Sequence, residues 1–516
     1  MDLSKYHDPG KNKELIAAIL NDPLPLRRVT DETLEFFNAI KDSAAFPARS
    51  RYRKTWMERL WALTGKKHST EDPHRYSVEV AGDEAVPEWK SELDKEYANL
   101  ERSFKRIVNV ESFGAVGDGM TDCTEAFQQA IGNGFTDLYI PSGIFVVRKV
   151  ELPSWTRLRG AGKGATVLRL HGEAPKKQRL VTNAHYIRGN HHISVENLEL
   201  DWNIERLGKE EKSSAGLNYS SCLTYAHVTY GWVKNVAAYN PGLHCFDISS
   251  PTYNYGGDGM RARGGSKYIW LDRASGYGFG DDGITTHHSD YIFISNSHFC
   301  DPSGRSHKRG FSNSNGIEID DGSRFVWLSN NSTARCFGGV EIKAHATSSA
   351  ATGVFISGHL SVHDNRSFNF RHIGHHKAED PDSVSAYQIA AQKLVAVAPV
   401  FTDMYAGSSP RALVVSGYRN VAVNRFRFIG DPKYNYRNNP VAAVQFKAAN
   451  VSITNGEISG FGSASADISI AGGKQPAMNV KVENIWCRHS AKKPVSIGKG
   501  NTSAIVDKIK AESKIN

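Results

Sequence analysis

The sequence predicts an all-β solenoid preceded by an α-helical N-terminal region. Three observations lead there. Four short segments recur with nearly the same shape: Asp258-Gly-Met-Arg-Ala262, Asp282-Gly-Ile-Thr-Thr286, Asn315-Gly-Ile-Glu-Ile319 and Gly338-Gly-Val-Glu-Ile342. The first two start 24 residues apart and the last two 23 apart, and a spacing of this size means one structural unit stacked on itself. The 516 residues include 46 Gly, against an average near ~7%, which favours many turns and short strands. From Ile193 onward, short β-branched or aromatic runs recur, several ending in Asn or Ser.

Residues 1–105 read as helical. Glu14-Leu-Ile-Ala-Ala-Ile-Leu20 is apolar on one side, and Thr30 or Asp31 is placed to cap a helix carrying Leu34, Phe37 and Ile40. Trp56, Leu60 and Leu63 repeat at helical spacing. So do Trp89, Leu93, Leu100 and Phe104, with Pro87 early in that helix. These stripes read as core packing, for a subdomain lying on the solenoid or for an oligomer contact.

The character changes at Val108. A Gly-rich turn, Gly114-Ala-Val-Gly-Asp-Gly119, leads into a short helix near 122–131, with Asp122 or Thr124 as cap. Leu138-Tyr-Ile-Pro-Ser-Gly-Ile-Phe-Val-Val147 and Leu158-Arg-Gly-Ala-Gly-Lys-Gly-Ala-Thr-Val-Leu168 follow as β-runs between turns. Neither Gly-rich piece has the Lys-Ser/Thr ending of a phosphate loop, so nucleotide binding is set aside. This opening resembles, nearly residue by residue, that of the pectate-lyase-like right-handed β-helix proteins found in phage tailspikes and polysaccharide-degrading enzymes. The resemblance implies a right-handed single-stranded parallel β-helix over 106–516, its end covered by the short helix.

The strands then run through Ile193-Ser-Val-Glu-Asn-Leu-Glu-Leu200, Val228 to Val236, Tyr291 to Ser297 and Phe325 to Asn331, and on to Val480-Lys-Val482. Strands stacked about ~4.8 Å apart give about ten or more coils at this spacing, with inward Asn and Ser laddering at the corners. Pro302-Ser-Gly-Arg-Ser-His-Lys-Arg-Gly310 reads as an inserted loop, residues 363–385 as a long loop, and the Lys-rich end from Val495 as a closing segment.

Net charge is +9, and the surplus lies outside the first 105 residues. A basic groove suits an acidic partner. No long Lys/Arg run occurs, so a nucleic-acid partner is not expected and an acidic polysaccharide is. The six Cys stand singly with no CxxC, which argues against a zinc knuckle. They read as buried thiols in a reducing compartment or as incidental core residues. The N-terminus lacks the apolar core of a signal peptide and no stretch is long enough to cross a membrane. That leaves a cytoplasmic, virion-associated or signal-independently exported protein, or a processed mature form.

The repeat also carries the candidate chemistry. It resembles the polygalacturonase-type glycoside hydrolases, whose coils show Asn-Thr-Asp-Gly-Ile/Val-Asp, then Gly-Asp-Asp, Gly-His-Gly and Arg-Ile-Lys. Gly257-Asp-Gly-Met260, Gly280-Asp-Asp-Gly-Ile-Thr285 and Val340-Glu-Ile-Lys343 match in part. The resemblance implies Asp282 as general acid, Asp258 and Asp281 handling water, and Lys343 binding substrate or steadying a carboxylate. Two departures turn the machinery toward a sugar other than pectin: Asn313-Ser-Asn315 stands at the Gly-His-Gly place, and Glu341 replaces the Arg. His307 in the inserted loop and His244 in Gly242-Leu-His-Cys-Phe-Asp-Ile248 are candidates for the missing imidazole.

Glycoside hydrolysis needs one carboxylic acid and one carboxylate. Asp258 and Asp282 at equal register would lie about ~4.8 Å apart, and clustered carboxylates raise at least one pKa. Asp-Gly is also ordinary turn chemistry. Glu318 and Glu341 share a register and form a second carboxylate pair or a solvated sheet face. Trp202, Tyr253, Tyr255, Tyr277 and Trp232 are candidates to stack on sugar rings. No metal or cofactor is required; the Asp cluster admits Ca²⁺, and His372, His375 and His376 form a candidate metal loop.

The expected function is glycosidic cleavage of an acidic or bacterial exopolysaccharide. A lyase or uronate epimerase on the same fold, using a His or Tyr base with His287 and His288 nearby, is the enzymatic alternative. A non-catalytic glycan-binding spike is the other, and a homotrimer would accompany it.

Overall fold

The computed structural model describes residues 1–40, 66–67, 78–210, 212–251, 260–262, 264–345, 348–373 and 386–512. The chain forms a parallel β-helix. Most coils contribute a short strand to a 12-stranded sheet, and the intervening strands build a 19-stranded sheet that wraps the remaining sides. Every pairing inside these two sheets is parallel, for example Phe246–Ser249 with Ile284–Thr286 and Arg324–Ala334 with Thr352–Val362. Connections between successive parallel strands are right-handed, for the usual reason of strand twist.

Alternation along each short strand sets the core. Ile284, Ile317, Ile319, Val340, Ile342, Phe368 and Phe370 point inward and are fully buried, stacked coil on coil. The residues between them face outward: Thr285, Glu318, Glu341 and Asn369 form one register row. In the three described rungs of the repeat, the Gly that follows the leading residue is a packing requirement. A Cβ on Gly283 would lie 2.5 Å from the Gly316 carbonyl, and one on Gly339 would lie 2.6 Å from the Ser367 carbonyl.

Two columns of left-handed residues bend the coils of the 19-stranded sheet. One holds Asn197, Asn235, Arg273, Asn296 and Asn330, continuing to Asn455 and Asn484. Asn tolerates this region better than most residues. The other begins Phe135, Trp155, His192, Tyr230, Tyr268, Tyr291, Phe325 and ends Asn420, Asn450, Asn479, all with φ between 51° and 63°. Bulky residues strain there, and ring stacking offsets the cost: centroids are 5.2 Å apart for Tyr230–Tyr268, 4.7 Å for Tyr268–Tyr291 and 5.1 Å for Tyr291–Phe325. The Asn end is an amide ladder, Asn479 to Asn450 to Asn420 at 3.1 and 3.0 Å. Laddering thus occurs at the corners, but on the outer face and not inward as expected, since Asn479 is exposed, and aromatic rings take its place in the earlier coils. Replacing Tyr291 with Ala removes two stacked neighbours and is expected to destabilise by roughly 1–3 kcal/mol. An unchanged thermal midpoint would show that the stack contributes nothing.

The N-terminal region lies along the outside of the 19-stranded sheet. Its helices are Asn12–Leu20, Leu26–Ile40 and Lys90–Ser103. Ile16 packs with Leu360, Val362 and Val395; Phe37 with Phe293, Trp327 and Phe355; Leu93 and Leu100 with Trp232. Polar pins accompany the apolar contacts, since Asn12 donates to the carbonyls of Ser297 (3.1 Å) and Asn330 (3.0 Å). The region also holds a hairpin, Val78–Ala81 with Glu84–Pro87, that the helical reading does not include. Pro87 therefore closes a strand, and the following helix starts at Lys90. Trp56, Leu60 and Leu63 lie outside the described residues.

The end helix is Thr124–Ile131, and the carboxylate of Asp122 accepts from the Thr124 amide at 3.0 Å. All six Cys are buried and free. No helix among the described residues is long and apolar enough to cross a membrane.

Two expectations about the coils need correction. The span 363–385 is not one loop, because Arg366–His372 is a strand of the 12-stranded sheet. The first repeated segment is not in the stack either. Met260–Arg261 pairs antiparallel with Lys66–Lys67, and the strand before Ile284–Thr286 is Phe246–Ser249.

Candidate active site

The outer face of the 12-stranded sheet carries a cleft of about 490 Å³ over the coils from His244 to Arg371. Three register rows build its floor. The pairing of Phe246 with Ile284 and of Ile284 with Ile317 brings His244, Asp282 and Asn315 into one row. Asp247, Thr285, Glu318 and Glu341 form the next row, and Lys343 pairs with Arg371 beyond it. Asp282 therefore stacks between a histidine and an asparagine. Asp258 does not occupy the register position before it and itself lies outside the described residues, as do Tyr253, Tyr255, His375 and His376.

The inserted loop closes one side. The Ser306 amide donates to the Gly280 carbonyl (3.0 Å) and the Ser213 amide to the Arg305 carbonyl (2.9 Å). These bonds hold His307 with Nε2 3.0 Å from Asp281 Oδ1, an ion-pair distance without linear hydrogen-bond geometry. Phe311, Lys212 and Tyr405 complete the walls.

The electrostatics separate the two adjacent aspartates. Asp282 is 1% exposed. Burial, with the negative charges of Glu318 and Asp281, pushes its carboxyl well above the usual range. Its Oδ1 accepts from the amide (2.9 Å) and side chain (3.0 Å) of Asn315. Its Oδ2 lies 3.5 Å from His244 Nε2. Burial also pushes Asp281 up, but His244 and His307 outweigh it and hold this carboxyl well below its ordinary value. One acid and one carboxylate thus stand side by side. Beneath them His244 Nδ1 meets Asp247 Oδ2 at 2.9 Å, and Asp247 is fully buried.

Glu318 and Glu341 are buried, not on a solvated face. Glu318 pairs with Lys343 Nζ at 2.6 Å and accepts from Thr285 Oγ1 (2.9 Å) and Asn315 Nδ2 (2.9 Å). Glu341 is bonded by Arg371 and by Asn369 (2.6 Å). Lys343 also lies 3.6 Å from Asp320. Burial lowers its ammonium pKa, and Asp320, Glu318 and the other acids more than reverse that, so it stays charged. Tyr277 does not reach the cleft. It belongs to the 19-stranded sheet, stacked on Tyr239 at 5.0 Å with Lys5 4.9 Å from its ring. Trp202 and Trp232 are fully buried and offer no open ring face for a sugar.

The sequence reading omits Asp320, Asp321, His345, Arg371, Lys212 and Tyr405. The first two directly follow Ile319 of the repeat, so continuing the segment two residues would have found them. His345 Nδ1 lies 2.9 Å from Asp321 Oδ2. Single ligand atoms of His244, Asp281 and Asp282 lie within 4.8 Å of one another, as do those of His287, Asp320 and Asp321. In the second trio, Lys343 already supplies a positive charge. His372 is buried on the strand that follows this site.

The site has a pH signature. Burial lowers the His244 pKa, but bonds to Asp247 and Asp281 raise it from 6.5 to about 9. A raised histidine binds more protons folded than unfolded between these values, so its stabilisation is complete below about 6.5 and is lost as pH rises through about 9. The thermal midpoint is expected to fall across that window, and His244→Gln to flatten the fall. A profile that is equally steep in the variant would overturn the assignment.

Stacked parallel coils with a carboxylate-bearing cleft on one face define a pectate-lyase-like β-helix protein. A family model described as "Rhamnogalacturonase A/epimerase, pectate lyase-like" matches residues 107–341. The chain is 47% identical over 437 residues to the putative phage-related protein YobO of Bacillus subtilis (strain 168), covering 84% of this chain and 54% of that protein. It is 41% identical over 402 residues to the pre-neck appendage protein of Bacillus phage phi29, covering 76% and 45%. It therefore spans about half the length of these curated relatives. The crystal structure of the bacteriophage phi29 gene product 12 N-terminal fragment superposes with a TM-score of 0.73 at 38% identity, over 82% of this chain and 69% of that one. The chain belongs to the family of the bacteriophage phi29 gene product 12 N-terminal fragment, a parallel β-helix, and its residues 107–341 are similar to the pectate-lyase-like model.

Proposed function

We propose that this protein cleaves glycosidic bonds in an acidic or bacterial exopolysaccharide, with Asp282 as general acid and Asp281 as the carboxylate that acts on water or on the sugar. The observation that carries the reading is two adjacent aspartates in one cleft with opposed surroundings: Asp281 faces His307 at 3.0 Å, while Asp282 is 1% exposed and held by Asn315 beside buried Glu318. Asp282, kept protonated, donates to the leaving oxygen; Asp281, kept ionised, takes the proton of the attacking water or attacks the anomeric carbon. His244, held by Asp247, and His307 maintain that ionisation. Lys343, Arg371 and His345 line the same cleft; each is already paired with a carboxylate, and their remaining N–H donors are what they offer to an acidic sugar. No cofactor is needed for these steps.

The same three groups admit a second reading, a lyase or uronate epimerase, in which their remaining N–H donors meet the substrate carboxylate. The relatives' phage names support a place on a virion. There the protein meets host-surface polysaccharide as a homo-oligomer, a trimer if spike-like; a monomeric mass in analytical ultracentrifugation would count against that assembly.

The deciding experiment is a panel of capsular and plant polysaccharides with product mass analysis. Hydrolysis adds water and new reducing ends. A lyase gives unsaturated, absorbing ends, and an epimerase leaves chain length unchanged. Binding without any product leaves only a glycan-binding spike and overturns the catalytic proposal.

A further inference from the structure

The register row that carries His244, Asp282 and Asn315 does not stop at the floor of the cleft. It runs on through Gly338 and Arg366 to Arg411, rung upon rung of the 12-stranded sheet. Arg366 is three rungs beyond Asp282, roughly 14 Å along the solenoid. Its guanidinium carbon lies 5.8 Å from the centre of the Phe337 ring, which packs at 4.8 Å on Tyr405, a wall of the cleft. The two arginines differ from Arg371, which is paired with Glu341. Arg366 donates only from Nη1 to Asn369 Oδ1, at 3.4 Å, and the Arg411 side chain has no hydrogen bond or ion pair among the described residues. Both are partly exposed. Their Nε atoms are shielded, whereas Arg366 Nη2 and both Arg411 Nη atoms are unpaired but not shielded, so the tips of the two forks are what solvent or a ligand reaches.

We propose that Arg366 and Arg411 form an anion subsite, which holds the carboxylate or sulfate ester of a sugar ring lying further along the chain than the ring at Asp281 and Asp282. Two half-buried cations stacked on adjacent rungs repel each other and are poorly hydrated. Burial, with the charges of Arg371 and Arg411, pulls the Arg366 guanidinium down to about 10, and burial lowers Arg411 as well. An anion shared by the two forks reverses that cost, and the planar N–H pairs of Arg match two oxygens of one anionic group. A neutral ring gives no such compensation, and a cation is repelled. The solenoid axis supplies the geometry: a polysaccharide laid along the row from Asp282 reaches Arg366 and Arg411 without turning. The inference rests on the reading that the cleft takes an acidic polysaccharide, and not on catalysis at Asp282.

Titration calorimetry on the parent and on Asp282→Asn tests it, with tetragalacturonate, tetramannuronate, sulfated neocarratetraose and neutral maltotetraose as probes. At least one acidic probe is expected to bind more tightly than maltotetraose, to keep its affinity in Asp282→Asn, and to lose about tenfold when a charged donor is removed in Arg366→Gln or Arg411→Gln. A uronate probe that behaves so assigns the carboxylate, and neocarratetraose the sulfate. Neither arginine variant is expected to lower the thermal midpoint, because Gln replaces a half-buried charge that has no counter-charge. If one variant does lower it, the other decides; if both do, the arginines hold the fold and the proposal is overturned. Silence from every acidic probe overturns it, as does equal binding of maltotetraose or an affinity unchanged in both variants. A probe that the parent cleaves but that binds unchanged in both variants removes the subsite and leaves the catalytic reading. A probe held through the arginines and never cleaved does the reverse.

Discussion

Replacing Asp282 with Asn is expected to lower turnover on the cleaved polysaccharide by about 10²–10⁴-fold while leaving the fold intact. The reason is local. The Asp282 carboxyl is held protonated by burial and by the negative charges of Glu318 and Asp281, so Asn replaces a neutral group with one of the same shape. Its oxygen still accepts from the Asn315 amide and side chain, as Asp282 does at 2.9 and 3.0 Å. What disappears is the transferable proton. Reducing-end assays beside thermal unfolding separate the two effects. Activity within a fewfold of the parent, at unchanged stability, would remove Asp282 from the acid role.

The second large effect is structural. Lys343→Met is expected to destabilise by about 3–5 kcal/mol and to abolish activity with it. Lys343 is 5% exposed and sits 2.6 Å from Glu318 and 3.6 Å from Asp320. Removing the ammonium leaves buried carboxylates without a counter-charge, and breaking a buried pair is far more costly than replacing both members. The paired variant Glu318→Gln/Lys343→Met is therefore expected to recover part of the loss. A double-mutant cycle on unfolding midpoints reads this coupling; strict additivity would show that the two groups act independently.

The two effects bear on different claims. Loss of turnover in Asp282→Asn speaks to chemistry, and loss of stability in Lys343→Met speaks to how the floor of the cleft is held. Lys343 lies on the register row beyond Glu318 and Glu341, so its contribution to substrate binding is read only in variants that keep the fold.

Much of this was legible along the chain. Three of the recurring X-Gly-apolar segments mark rungs of a solenoid, and in two of them the Gly, Gly283 and Gly339, faces the backbone of the next coil at a distance that excludes a Cβ. Alternation placed Glu318 and Glu341 on one face, and the Asp281-Asp282 pair with Lys343 stood in one repeat pattern. Asn at coil corners was visible as a strand-ending residue, although its left-handed conformation and the column of aromatic corner residues were not.

Register across insertions was not legible. Asp258 and Asp282 are 24 residues apart, as the repeat suggests, yet the rung before Ile284 begins at Phe246, 38 residues earlier. Counting fails because loops of differing length leave the solenoid between rungs. In sequence, Asp258-Gly-Met reads like the rung motif Asp282-Gly-Ile. Which strand stacks on which is settled by inward side chains such as Phe246, Ile284 and Ile317 meeting in the core. The sequence by itself determined a stacked parallel β architecture and an aspartate pair. Only the tertiary structure decided that His244 and Asn315 flank Asp282, that His307 returns on a loop to Asp281, and that Lys343 is buried among acids. The physical reason is that ionisation depends on neighbours brought together by packing, and those neighbours are distant in the chain.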